Sequence, residues 1–240
     1  MSPDTLVADS FLVDHGRVLR LDAHAERFAR AAAELGFSSD RAARSLVELA
    51  RRVPTTGVWF PRIDLLADHT LETQVRPASE RGGAVRLLTA AHDPRSRPGV
   101  KGPDLVAGAT LREQARALGA DEAVITTDGW VCDGALSALV WWRGDALHLP
   151  DPALTRVPSV TAGWLADRVA ADGGTVSWVR ARPDDLAGAE VWVLSALHGP
   201  RAVVEWIDGP AVTSSDDRLR LWADRLQGAR MSVKQLAYPN

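Results

Sequence analysis

Apolar positions in the first quarter of the chain fall on helical stripes. In RLDAHAERFARAAAELGF, Leu21, Ala25, Phe28, Ala32 and Leu35 recur at spacings of 4, 3, 4 and 3, which puts them on one face of a helix. Asp22 is placed to cap the start of that helix and Gly36 its end. SSDRAARSLVELARRVP repeats the pattern with Ala42, Leu46, Leu49 and Val53, and Pro54 closes it. The period then changes. GVWFPRIDLLA, TLETQVRP and AVRLLTAA read as strands. The next stretch, HDPRSRPGVKGP, holds Pro94, Pro98 and Pro103 with Gly99 and Gly102, too stiff and too broken for regular structure.

That break predicts a linker. Residues 1–93 are expected to form a small N-terminal lobe, 94–103 the linker with Lys101 at its end, and 104–240 a larger C-terminal lobe. Asp104 can cap a helix through LVAGATLREQARALG. Strands EAVITT and WVCD then flank an Asp128-Gly129 turn, and SALVWW and ALHLP flank Gly144-Asp145; an Asp-Gly pair between apolar runs is a hairpin signal. A helix VTAGWLADRVAADGG, strands TVSWVRA, EVWVLSA and AVVEWIDG, and a polar helix from about Ser214 to Gln227 complete the chain. Helices first, then a mostly antiparallel strand-rich half, predict an α+β chain of two lobes.

Composition narrows the function classes. A chain of 240 residues with 46% hydrophobic and 25% charged positions has the make-up of a soluble globular protein. A net charge of −3 without a Lys/Arg run argues against nucleic acid as a partner. No apolar window reaches membrane-span length, and MSPDTLVADS lacks a signal peptide's basic start and apolar core. The single cysteine, Cys132, cannot form an internal disulfide and suits a reducing cytoplasm. The six histidines have no metal-ligand spacing, and no P-loop, GxGxxG or GxSxG motif occurs. His24 and Arg27, on the flank of the first helical stripe, read as packing or capping residues.

One residue stands out against this background. All but two of the 28 Lys and Arg positions are arginine, the exceptions being Lys101 and Lys234. A lysine needed only for its positive charge can be exchanged for arginine; one used as a neutral amine nucleophile cannot. Lys101 is therefore either a solvated loop lysine or a nucleophile.

The order of the pieces resembles the class IV aminotransferases, the fold-type IV pyridoxal-phosphate enzymes, from about Asp9 to Gly209. LDAHAERFARAAAELGF is similar to the family's early helix, and GVKGPDL to the segment of its Schiff-base lysine, which falls on Lys101. PRIDLL is similar to a strand whose arginine holds the cofactor phosphate, here Arg62. DEAVITTDGWVCDGALSALVWWRGDALHLPD resembles the family's long signature, with the acid at the pyridine nitrogen falling on Asp133. RVPSVTAGWLADRVA resembles the phosphate-binding loop and helix start, with Val160 and Thr161 at the matching positions. VWVLSALHGPRAVVEWIDG is similar to the last strand pair, with Ser195 near a further phosphate contact.

The residues also have readings of their own. A charge in an apolar strand needs an anionic partner, so Arg62 has either a phosphate or a carboxylate such as Asp64 or Glu72. Asp133 is a ring-nitrogen partner or a turn aspartate. Ser159 or Thr161 begins a helix, which serves equally as an N-cap or as a phosphate site. Ser195 stands at a strand end, where small residues are common. Arg95 and Arg97 are solvated loop arginines or donors to a substrate carboxylate.

The resemblance implies a small N-terminal α/β sandwich lobe and a larger strand-rich pseudo-barrel lobe. It implies pyridoxal 5'-phosphate as cofactor, a small amino acid and 2-oxo acid as substrates, and a homodimer. The activity it implies is an aminotransferase working through a Schiff base on Lys101. An aminodeoxychorismate-lyase-like enzyme releasing pyruvate is the alternative, and a diverged member with weak or no activity the third. The chain departs from the family pattern in several places. ADSFLV stands where relatives have a GDGVFET-like strand, Asp133 replaces a glutamate, Ser137-Ala138 replaces a Ser-Asn pair, and Ala162 replaces an arginine.

Overall fold

A computed structural model describes residues 4–235. They divide into two compact units. One unit runs to Arg81 and takes in Val100–Pro103 and the chain from Arg225; the other comprises Gly82–Gly99 and Asp104–Asp224.

The first unit contains β1 (Thr5–Ser10), β2 (Val13–Asp14), β3 (Arg17–Val18), α1 (Leu21–Ala33), α2 (Ser39–Arg52), β4 (Val58–Trp59), β5 (Arg62–Leu66) and β6 (Leu71–Gln74). Both helices form where the stripes predict. Phe28 and Ala32 of α1 and Leu46 and Leu49 of α2 share one buried core with Phe11, Ile63 and Leu65. Each large side chain so buried contributes roughly 1.5–3 kcal/mol.

The start of α1 differs from expectation. The residue before it, Arg20, is left-handed at φ 44° and supplies no side-chain cap, while Asp22 lies inside the first turn. Asp22 accepts from Arg20 Nε at 3.3 Å and so answers the positive end of the helix dipole rather than capping it. The end follows expectation: Gly36 is left-handed at φ 77°, and the Phe37 amide reaches back to the Ala32 carbonyl at 3.1 Å. β5 lies between β1 and β6, antiparallel to both.

The second unit contains β7 (Val85–Thr89), α3 (Leu105–Ala117), β8 (Glu122–Thr127), β9 (Trp130–Gly134), β10 (Ala138–Arg143), β11 (Ala146–Pro150), α4 (Val160–Ala171), β12 (Val176–Val179), β13 (Glu190–Ser195) and β14 (Gly199–Ile207). Its strands make one sheet in the order β12-β11-β10-β13-β14-β7-β8-β9. The sheet curls until β9, at one edge, comes back against β10 and β11. Asp128 and Gly129 make the expected tight turn, with φ of 53° and 80°.

The sheet is more mixed than the hairpin signals suggested: β7 runs parallel to β8 and β14, and β11 parallel to β12. The cause is helical crossovers, α3 between β7 and β8 and α4 between β11 and β12. β7 is thereby hydrogen-bonded into the second unit's sheet. Asp104 also precedes its helix without a side-chain cap. Its carboxylate instead accepts from the amides of Ser96 and Arg97 at 2.8 and 2.7 Å, which holds the irregular stretch before the helix. After α5 (Asp216–Gly228), the final strand β15 (Met231–Ser232) pairs with β3, completing a small sheet of order β15-β3-β2-β4 in the first unit.

Candidate active site

In the first unit the candidate nucleophile is set by backbone contacts. The Lys101 carbonyl accepts from the Ala8 amide of β1 at 2.6 Å. Gly102, at φ 149°, lies so close to β1 that a Cβ would come within 2.8 Å of Val7 Cα and 2.9 Å of Ala8 N. Only glycine fits such an approach and such a φ, so the residue after Lys101 lets the segment lie flat on the strand.

The next residue of that strand is Asp9, which is 0% exposed. His24 Nδ1 lies 2.8 Å from its Oδ1, while Arg27 donates to Oδ2 from Nε and Nη2 at 2.8 and 2.7 Å. A carboxylate only accepts, so His24 carries its proton on Nδ1 in this pair. Burial by itself would push the Asp9 carboxyl up; Arg27 first, then His24 and Lys101, outweigh it and hold the group at about 2. Burial pushes His24 below the ordinary histidine value, in spite of Asp9, so the imidazole is neutral at pH 7. The charge of Lys101 is felt by both Asp9 and His24.

Arg62 opens β5 opposite Ser10 of β1. Of the partners left open by the sequence, its guanidinium has taken Asp64, with Nε to Oδ2 at 2.6 Å and Nη2 to Oδ1 at 2.5 Å. That is a two-pronged, partly buried pair, the geometry arginine favours with carboxylates.

In the second unit the centre is Asp133, near the end of β9 and 7% exposed. Arg95 Nη1 donates to Oδ2 at 3.4 Å and the Gly134 amide to Oδ1 at 3.2 Å. Burial dominates: it pushes the carboxyl up to about 7, and Arg95 and Arg156 offset only part of this. Arg95 is not the solvated loop arginine that was one of the two readings open to it. Its side chain is 7% exposed and is braced on Asp93, with Nε to Oδ1 at 2.9 Å and Nη2 to Oδ2 at 2.8 Å. The Arg156 guanidinium is tied to the carbonyls of Pro150, Asp151 and Leu154. It holds the loop before α4, whose Thr155 carbonyl lies 3.5 Å from Cys132 Sγ. Glu122, also buried and pushed up by its burial, accepts from Ser137 Oγ at 3.0 Å.

That loop leads to the start of α4. Ser159 is its N-cap, accepting from the Ala162 amide at 3.2 Å, and Val160 and Thr161 form the first turn, both buried. Amides at a helix start have no acceptors within the helix, and the helix dipole favours an anion there. Ser195 ends β13, where its hydroxyl accepts from the His198 amide at 3.1 Å and shapes the turn into β14. Thus Lys101 and Arg62 belong to the first unit, and Asp133, Val160, Thr161 and Ser195 to the second.

Sequence reasoning missed Asp9, did not foresee Arg95 beside Asp133, and gave His24 and Arg27 a lesser role. A signal existed for the first group. Asp9 is a lone acid among apolar residues in ADSFLV, and His24 and Arg27 sit three apart on a helix face that must be buried. A buried acid requires cationic or hydrogen-bonding partners, and those two were the nearest candidates.

The donor set fits a phosphorylated pyridine aldehyde, which needs an amine, a carboxylate and an anion cradle. The first unit holds a lysine amine at Lys101, and the second holds a buried carboxyl at Asp133 and the free amides at the start of α4. The description of amino-transferase class IV matches residues 6–206. A hypothetical aminotransferase from Mycobacterium tuberculosis, solved with alpha-ketoglutarate and PMP bound, has a TM-score of 0.82 at 19% identity, over 98% of this chain and 91% of that one. A fold IV transaminase from Curtobacterium pusillum gives 0.79 at 18% identity, over 93% and 84%. A protein from Legionella pneumophila described as a 4-amino-4-deoxychorismate lyase gives 0.77 at 18% identity, over 92% and 90%. These likenesses are of fold. No curated protein sequence matches the chain. The fold is that of the fold-type IV proteins, and the chain belongs to the class IV aminotransferase family. Members of that family are enzymes, aminotransferases or lyases, whose cofactor is pyridoxal phosphate.

Proposed function

We propose that the protein is an aminotransferase that passes an amino group between a small amino acid and a 2-oxo acid. The observation that carries this reading is the setting of Lys101. It is a lysine kept in a chain otherwise given over to arginine, seated on β1 by the Ala8 amide and by a glycine that no other residue can replace. The neighbouring Asp9 has both oxygens engaged by His24 and Arg27.

Pyridoxal phosphate, when bound, supplies a carbonyl that carries the amino group and a ring that accepts electrons. Lys101 would attach it through its amine. Once displaced by the substrate's amine, Lys101 would take the proton from the substrate α-carbon as a general base. Asp133, as a carboxylate, would accept from the ring nitrogen. The phosphate is assigned to the amides at Val160 and Thr161, with Ser195 and, by sharing its guanidinium with Asp64, Arg62. The same reading takes the protein as a cytoplasmic homodimer, which sedimentation at working concentrations tests.

The second reading, a lyase that expels pyruvate, is favoured by ALVWWRGDALHLPD, which is similar to the lyase form of the signature. One experiment tests the shared part. Purified protein with added pyridoxal phosphate is expected to show a visible absorption band that borohydride fixes covalently to Lys101, and Lys101→Ala to show none. Identical spectra would refute the lysine assignment. A panel of amino donors read by mass spectrometry then separates the readings, because a transaminase needs an oxo-acid acceptor and a lyase releases pyruvate without one.

A further inference from the structure

We propose that Arg95 is the positioning residue for Asp133: its guanidinium, braced on Asp93, places a fixed cation beside that buried acid and aims Oδ2. This rests on the reading of Asp133 as the partner of the cofactor's ring nitrogen, and adds to it a residue from the irregular stretch before Lys101.

The geometry is specific. Arg95 gives Nε and Nη2 to the two oxygens of Asp93, which fixes the plane of the guanidinium. Nη1 then points to Asp133 Oδ2 at 3.4 Å, and Nη2 also approaches Cys132 Sγ at 3.7 Å. The Arg95 amide donates to Asp93 Oδ1 at 3.0 Å, so the brace is tied to its own backbone as well. Such an arginine has little rotamer freedom left to lose, and it meets the acid with one defined donor.

The surroundings explain why the acid needs it. The groups that act on Asp133 are Arg95 from the stretch before α3, Arg156 from the loop before α4, Glu122 at the start of β8 and the Gly134 amide. Arg156 spends its donors on three backbone carbonyls and acts only from a distance. Glu122 raises the value rather than lowering it. Arg95 is therefore the largest influence against burial, and with it the carboxyl stands at about 7. Without it the carboxyl would move higher. A neutral acid can no longer accept a hydrogen bond from a protonated ring nitrogen through both oxygens, nor balance its charge.

The test compares wild type, Arg95→Gln, Arg95→Lys and Asp133→Asn as full-length proteins. Affinity for pyridoxal phosphate is measured by equilibrium dialysis at several values between pH 6 and 9.5, and the Asp133 carboxyl is titrated by carbon NMR without cofactor. Arg95→Gln is expected to weaken binding about tenfold or more near pH 7.5, to move the acid-side midpoint up by about one pH unit or more, and to recover as pH rises. Arg95→Lys, which keeps the charge but not the brace, should fall between, and it decides the matter if Arg95→Gln does not fold. Asp133→Asn should bind weakly with no midpoint in this range. If Asp133→Asn is weak while the Arg95 variants follow the wild-type profile, the role of Arg95 is refuted and that of Asp133 stands. If Asp133→Asn binds as wild type does, the ring-nitrogen reading fails. The NMR titration then decides for Arg95 alone: an unmoved Asp133 carboxyl in Arg95→Gln refutes it, and an upward move upholds it.

Discussion

Asp9 in the first unit and Asp133 in the second are both buried aspartates in strands, yet their charges are managed in opposite ways. Asp9 carries a two-pronged arginine on one oxygen and an imidazole N–H on the other, and its carboxyl is held at about 2. Asp133 has one long contact to an arginine already committed to Asp93, and its carboxyl is pushed up to about 7. Burial is the largest influence on both. What separates them is how many cationic donors reach the carboxylate and how directly. The first arrangement is a permanently charged strut beside Lys101. The second is an acid kept near its own titration point, available for a cation that arrives later.

Removing the charge should therefore have opposite effects at the two positions. The largest is expected for Asp9→Asn, which takes from Arg27 the carboxylate that both Nε and Nη2 donate to, in a site where the side chain is 12% exposed. Breaking one side of a buried pair costs about 3–5 kcal/mol, measurable by urea denaturation at pH 7. In wild type the Asp9 contribution is present above the ordinary carboxyl value of 3.8 and is lost as pH falls towards about 2. An Asp9→Asn protein as stable as wild type at pH 7 would erase the contrast.

Asp133→Asn should go the other way. The folded protein holds this proton up to about pH 7, while the unfolded chain releases it near 3.8. Between those values the unfolded chain gives up a proton that the folded protein keeps, so stability falls progressively as pH rises. The variant is expected to be more stable than wild type at pH 7 by about 2–4 kcal/mol, a gain that vanishes near pH 4. Parallel melts at the two pH values check this, and a pH-independent difference would count against it. The smallest test asks whether loss of any polar contact gives the same signature. Ser159→Ala removes the N-cap of α4 and should cost about 1 kcal/mol equally at both pH values.

How much of this was readable beforehand differs between elements and partners. The stripes of α1 and α2, the Asp128-Gly129 turn and the helix start at Ser159 follow from residues a few positions apart, and each forms close to where it was expected. The partners of β7 could not be read from neighbouring residues, because β8 and β14 come from far along the chain. Asp22 and Asp104 are placed where a cap could stand but do other work, since competing donors at Arg20, Ser96 and Arg97 took their oxygens. Arg62 had three candidate anions, and only the pairing of β5 made Asp64 its partner.

From the chain's own letters came the alternation of helices and strands, the rarity of lysine that singles out Lys101, and the resemblance that names the cofactor. These depend on neighbours in sequence or on composition, for which periodicity and residue chemistry suffice. Folding alone decided which acid would stay charged and which would hover near neutrality. Asp9 meets His24 and Arg27 across 15 and 18 residues, and Asp133 meets Arg95 across 38. The ionisation of a buried carboxyl is set by desolvation and by charges within a few ångströms, and no local pattern in the sequence records those distances.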